Sequence, residues 1–77
     1  MKALRRMRGR SVRLLVSNET GTPTNLVLEP WGEIVRLEPG ETRDIVYRGD
    51  SEPRIAIQSG PGELKLWAEG DGVFDVR

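Results

Sequence analysis

The sequence predicts an all-β protein: a small β-sandwich or barrel of about six or seven antiparallel strands with a basic N-terminal arm. Two observations favour this fold. Short runs of residues alternate between apolar and polar with a period of two, and clusters of turn-forming residues separate these runs about every 8–12 residues. No stretch after residue 13 repeats apolar residues at helical spacing over a helix-length window, which argues against an amphipathic helix.

Several predicted strands place alternate apolar side chains on one face, as expected for sheets that bury a single side. In the first run, for example, Val12, Leu14 and Val16 share a face, and in the sixth run Leu64 and Leu66 do so. The predicted strands cover residues 11–17, 25–29, 33–38, 42–48, 53–59, 63–68 and 73–77.

The connections between these runs share a proline–glycine chemistry, seen in the phrases EPWGE (29–33), EPGE (38–41) and GPGE (60–63). Pro39 presets φ at the second position of a turn and Gly40 accepts a positive φ at the third, which predicts a type II turn and a hairpin between 34–38 and 42–48. Pro30 cannot donate to a β-ladder and ends its strand, and the inserted Trp31 predicts a longer or bulged connection. In AEGDGV (68–73), Asp71–Gly72 predicts a further hairpin bend.

The two tryptophans and a neighbouring lysine are the candidate interface residues. Trp31 has two interpretations: a ring that caps one end of the core, favoured because so small a domain is short of apolar area, or an exposed interface anchor. Trp67 and Lys65 face away from Leu64 and Leu66, and an outward aromatic on a strand is a common interface feature. For Trp67, a position in the core and a position facing a partner are equally favoured.

Size and composition limit the possible functions. A chain of 77 residues buries roughly 60% of its unfolded surface, so self-association would supply stability that the core lacks. With no cysteine and no histidine, the chain has no disulfide, thiolate zinc site or histidine acid–base catalyst. We therefore expect no catalytic residue, cofactor or metal site, although acidic pairs at the turns leave cation binding or a carboxylate enzyme open: Glu38 with Glu41, Asp50 with Glu52, and Glu69 with Asp71.

The zero net charge conceals two halves of opposite sign. Residues 14–77 hold six basic and twelve acidic residues, a balance of −6, whereas residues 1–13 hold no acid. We expect residues 1–10 to form a flexible arm on a compact domain of residues 11–77. The arm could bind nucleic-acid phosphates or an acidic protein surface, or remain a solvated tail. The basic residues of the arm and of the first three residues of the domain are Lys2, Arg5, Arg6, Arg8, Arg10 and Arg13.

The phrase LVLEPWGE (26–33), followed by the proline–glycine turn, resembles a loose set of short bacterial proteins of unknown function. The resemblance covers about residues 25–43 and implies a compact β-domain of bacterial or phage origin. It implies no activity and does not include the basic arm.

These observations lead to one expected function and one alternative. The expected function is a non-enzymatic binding or assembly module that contacts copies of itself or a larger protein, as a structural or accessory subunit of a bacterial or phage complex. The alternative is a nucleic-acid-associated accessory protein that uses the basic arm. No membrane segment, signal peptide or small-molecule substrate is evident, and we expect a cytoplasmic location.

Overall fold

The computed structural model describes residues 10–77, which form seven β-strands and no helix. Every predicted run is a strand, and each boundary lies within two residues of its predicted place. Within this range no helix is long and apolar enough to cross a membrane. The strands are β1 (Arg10–Ser17), β2 (Thr24–Glu29), β3 (Glu33–Leu37), β4 (Thr42–Gly49), β5 (Ile55–Gly60), β6 (Glu63–Ala68) and β7 (Val73–Val76).

The strands form two open sheets. The three-stranded sheet has the order β1-β4-β7 and is antiparallel, and the four-stranded sheet has the order β3-β2-β6-β5. Within the larger sheet β2 and β6 are parallel, so the prediction of a purely antiparallel fold is wrong, and neither sheet closes into a barrel. The alternation of apolar residues indicates which face of a strand is buried, but it does not indicate which other strand pairs with it or in which direction.

One hydrophobic core lies between the two sheets. The larger sheet contributes the fully buried Leu26, Leu28 and Leu66, while Ile45 enters from β4 of the smaller sheet. Leu14 and Val16 of β1 pack against this cluster from the smaller sheet, on the face that the alternation predicts. Burying each side chain of this size contributes roughly 1.5–3 kcal/mol to the stability of the fold. The core residues that the two sheets contribute therefore hold the two layers together.

The Pro39–Gly40 turn is present, but it does not make a hairpin. Gly40 has φ +84°, and the Glu41 N–H donates to the Glu38 carbonyl at 2.9 Å, as a type II turn requires. The turn leads from β3 in the larger sheet to β4 in the smaller one, so the predicted hairpin is wrong. The bend at Asp71–Gly72 likewise joins β6 to β7 across the sheets. Turn chemistry fixes the local backbone, whereas the burial of apolar faces decides which sheet the next strand joins.

Two other connections are hairpins. Residues 30–32 join β2 to β3, with Pro30 directly after the end of β2 as predicted, and the Gly32 N–H donates to the Leu28 carbonyl at 2.9 Å. Pro61 and Gly62, with φ +68° at the glycine, join β5 to β6. The connection that contains Trp31 is thus one residue longer than the Pro61–Gly62 hairpin turn, as the insertion predicts.

Candidate interaction surface

Trp67 and Lys65 lie on the outer face of the four-stranded sheet, on the opposite side from the buried Leu66. The Trp67 indole N–H donates to the Gln58 side-chain oxygen on β5 at 3.0 Å, and the ring is half-buried. The core interpretation of Trp67 is therefore wrong. Its role as a partner contact stays a prediction.

Apolar residues continue across this outer face. Ile34 on β3 is opposite Val27 on β2, and Val27 is opposite Lys65 on β6. Ile34 is 61% exposed, whereas Val27 is buried although it faces outward. A solvated outer face would carry a polar residue at this position, so Ile34 is an exposed apolar side chain next to the buried Val27.

Trp31 is 51% exposed, and the interpretation of this ring as a core plug is wrong. The ring contacts the core only at its edge, in a T-shaped arrangement with Phe74 at a centroid distance of 6.1 Å. Phe74 packs in turn against the fully buried Tyr47 at 5.7 Å, so these two aromatics already fill this end of the core. One side of Trp31 is free to contact another molecule.

Other exposed apolar side chains were not among the candidates. Leu15 on β1 is 65% exposed, and the alternation in SVRLLVS carries the signal, because Leu15 falls on the face opposite Leu14. Ile57 on β5 is 61% exposed although its cross-strand partner Leu66 is buried in the core. No sequence signal reveals Ile57, because it faces inward and is uncovered only by the greater width of its sheet.

The smaller sheet carries the part of the basic region that the structure describes. Arg10 is the first residue of β1, and Arg13 follows on its outer face. The Arg13 guanidinium donates to both carboxylate oxygens of Asp44 on β4, at 3.0 and 2.8 Å from its Nε. These hydrogen bonds and the charge of Arg13 hold the pKa of Asp44 below its ordinary value. Lys2, Arg5, Arg6 and Arg8 lie outside the described residues, so binding of nucleic acid by the arm stays a prediction.

A cavity of about 220 Å³ opens at the end of the molecule where β1, β3 and β5 finish. Asn18 on its wall is buried, and its side-chain nitrogen donates to the carbonyls of Thr22 and Leu37, at 2.8 and 3.0 Å. Its side-chain oxygen accepts from the N–H and the hydroxyl of Thr20. Because every polar group of this amide is used within the chain, Asn18 has a structural role and offers nothing to a ligand.

The acidic residues at the turns make local contacts rather than a joint site. Glu38 accepts from Arg36 at 2.6 Å, and Glu41 accepts from the Glu38 N–H at 2.9 Å. Asp71 accepts from the Ser51 hydroxyl at 3.0 Å. From residue 10 onward, no three acidic side chains converge as a cation site would need.

Comparisons of this chain with protein-family models, with curated proteins and with solved structures found no match. A function must therefore be inferred from the surface of the molecule itself.

Proposed function

We propose that this protein is a non-enzymatic assembly module, which binds copies of itself or a larger protein as a structural or accessory subunit of a bacterial or phage complex. The observation that carries this proposal is the balance of apolar side chains. The described residues hold seven buried hydrophobic residues and five large hydrophobic residues that are exposed. Among the described residues, five large apolar side chains are thus exposed beside seven that are buried, and six partly buried ones pack against the core.

Position matters more than number, because single exposed apolar residues are normal on any protein surface. Leu15, Ile34 and Ile57 lie within regular strands, where the sheet fixes the direction of each side chain. A side chain held in this way loses little conformational freedom when a partner covers it. Covering its apolar area contributes roughly 25 cal/mol per Å². Exposed strand residues are thus suited to association.

The charges around these residues are largely paired within the chain. Lys65 lies 3.6 Å from Glu63, and Arg13 is bound to Asp44. Exposed ion pairs of this kind contribute little to binding, and salt screens what they contribute. Association through the apolar surface should therefore survive high salt, whereas attachment through the basic arm should weaken steeply with salt.

Sedimentation velocity and light scattering at micromolar concentrations, in low and high salt, test this function. We expect a mass that is a multiple of the 8.6 kDa chain in both conditions, or a larger protein captured by the immobilised full chain. A strict monomer in both salt conditions, with no captured protein, would contradict the proposal. Assembly present only in low salt would contradict the apolar mechanism.

A further inference from the structure

β1 is the least protected edge of the two sheets. Natural proteins protect edge strands by keeping them short or by placing proline, bulges or charges on them. β7 has four residues and β3 has five, while β5 lies between Pro53 and the Gly60–Pro61 turn. β1, in contrast, has eight residues with no proline or glycine, and its register with β4 is continuous from Arg10 to Ser17.

The backbone of β1 presents alternate residues to the open side. The Asn18 N–H donates to the Glu41 carbonyl at 2.9 Å, so residues of the same parity as Asn18 point towards β4. A second hydrogen bond supports this parity: the Asp44 carbonyl accepts from Arg77 on the β7 side, so it is turned away from Leu15, its cross-strand neighbour on β1. The N–H and C=O groups of residues 11, 13, 15 and 17 therefore face the open edge.

The side chains of β1 suit a neighbouring strand on both faces. Leu15 offers an exposed apolar group on the outer face, beside Arg13, whose charge is already paired with Asp44. On the inner face Leu14 and Val16 extend the core to the edge of the sheet. From Ser11 to Ser17 the only charged side chain on this edge is Arg13, which is paired with Asp44, so no unpaired charge there would repel an added strand.

The larger sheet leaves space for such a strand. Ile57 of β5 is paired with the buried Leu66, yet nothing among the described residues covers it. Phe74 of β7 contacts Trp31 in the β2–β3 connection at a centroid distance of 6.1 Å, so β7 lies over the β3 side of the larger sheet, and β1, at the opposite edge of the smaller sheet, lies over the β5 side. A strand added to β1 would lie opposite the uncovered inner face of β5 and would cover Ile57.

We propose that two copies of this chain pair through β1, antiparallel and about a two-fold axis at Leu14. This dimer rests on the proposed function as an assembly module and names its interface. Leu14 would then lie opposite the partner's Leu14, and Leu15 opposite the partner's Arg13. The open-edge backbone groups of residues 11, 13, 15 and 17 would all find partners, and the two small sheets would join into one sheet of six strands.

A second copy fits this edge because the strand is complementary to itself in this register. Reversal about Leu14 places Val12 opposite the partner's Val16 on the inner face and Ser11 opposite the partner's Ser17 on the outer face. Every inner pair formed by residues 12, 14 and 16 is apolar, and no directly opposed outer pair brings like charges together. Such a self-complementary contact closes as a dimer and leaves no free β1 edge for further growth.

The first test compares Leu15→Lys with Ile34→Lys, which changes an equally solvent-accessible residue on the other sheet. In the dimer the introduced lysine of Leu15→Lys would face the partner's Arg13, a repulsive pair of like charges. We therefore expect the dissociation constant to rise at least about tenfold for Leu15→Lys and to stay unchanged for Ile34→Lys. Thermal melting of each variant checks that the monomer remains folded.

The outcomes separate this dimer from the broader function. Assembly that survives Leu15→Lys, or is lost only in Ile34→Lys, overturns pairing through β1 while the assembly function stands. A wild-type monomer that captures a different protein also overturns the dimer and supports the broader function. A wild-type monomer that captures nothing contradicts both.

Cysteine cross-linking tests the register, since the chain has no cysteine of its own. Ser11→Cys and Ser17→Cys chains should form a disulfide-linked dimer when they are mixed and oxidised, because these positions face each other across the axis. Either variant alone should not, because six residues of strand separate the two identical positions by about 20 Å, beyond the reach of a disulfide. Efficient cross-linking of either variant alone overturns this register.

Discussion

Gly72 lies directly against the ring of Tyr47. The Gly72 N–H donates to the Tyr47 hydroxyl at 3.1 Å, and a Cβ atom on Gly72 would overlap the ring carbon that bears this hydroxyl. The Tyr47 side chain is fully buried, so the ring cannot move outward without opening the core. The contact anchors the segment that leads from β6 to β7 onto the centre of the smaller sheet.

Replacement of this glycine should destabilise the fold. Gly72→Ala forces the Tyr47 ring out of its place, and we expect the free energy of unfolding to fall by about 2 kcal/mol or more. Gly60→Ala is the matched control, because a Cβ there meets no atom within 4 Å. Urea denaturation of both variants measures the difference. Equal stability of the two would show that the ring accommodates the methyl group freely.

Asn18 should be intolerant of a change that removes its donor. In Asn18→Asp a carboxylate oxygen replaces the NH₂ group and faces the carbonyls of Thr22 and Leu37, so one part-buried and one buried acceptor lose their partner. We expect a loss of about 1–3 kcal/mol or more at neutral pH. Asn25→Asp, on an exposed position of β2, should change stability by less than about 0.5 kcal/mol. A similar loss in both variants would mean that the Asn18 hydrogen bonds are unimportant.

The Arg13–Asp44 pair should make stability depend on acid pH. Because the pKa of Asp44 is lowered in the folded chain, its stabilising contribution is complete above the unfolded pKa of about 4 and is lost as pH falls through the folded value. We expect Arg13→Gln to melt at a lower temperature than the wild type at pH 7, with the gap closing below about pH 4. The melts are run where sedimentation shows a monomer, so that assembly does not contribute.

Arg54→Gln is the control for this pH dependence, because its guanidinium only approaches Glu69, at 4.0 Å. A smaller gap at pH 7 is expected for this variant. A gap for Arg13→Gln that is constant from pH 7 to pH 3 would show that Asp44 does not contribute through its charge.

Trp31 should matter less to folding than its size suggests. Because half of its ring faces solvent, we expect Trp31→Ala to lower the free energy of unfolding by about 1 kcal/mol, well below the roughly 3–5 kcal/mol of a buried tryptophan. Leu66→Ala, in the centre of the core, should cost about 2–5 kcal/mol in the same urea titration. A larger loss for Trp31→Ala than for Leu66→Ala would restore the interpretation of Trp31 as a core residue.

The strands could be located from the sequence because burial of one face leaves a local signature. Val12, Leu14 and Val16 alternate with polar or outward residues, and this alternation alone identifies β1. The proline and glycine signals at Pro30 and Gly40 mark where strands end for equally local reasons.

Local sequence signals could not predict which strands pair with each other. The proline–glycine turn at Gly62 forms a hairpin, whereas the one at Gly40 connects a strand of one sheet to a strand of the other. Both glycines have a positive φ. The difference lies in which apolar faces meet across the core, a property of the whole chain. The exposed residues differ in the same way. Alternation in the sequence predicts the outward position of Leu15, whereas the exposure of Ile57 depends on the unequal numbers of strands in the two sheets.

The order β1-β4-β7 has a consequence for biosynthesis. The central strand of the smaller sheet, β4, is flanked by the first and last described strands. In the larger sheet, β2 pairs with β6, and more than thirty residues lie between them in the sequence. Such distant pairings slow folding; the larger sheet needs the chain up to Ala68, and the smaller sheet needs it up to Val76. We infer that the smaller sheet of a nascent chain stays incomplete until β7 has left the ribosome, and that loss of β7 would impair folding of the domain.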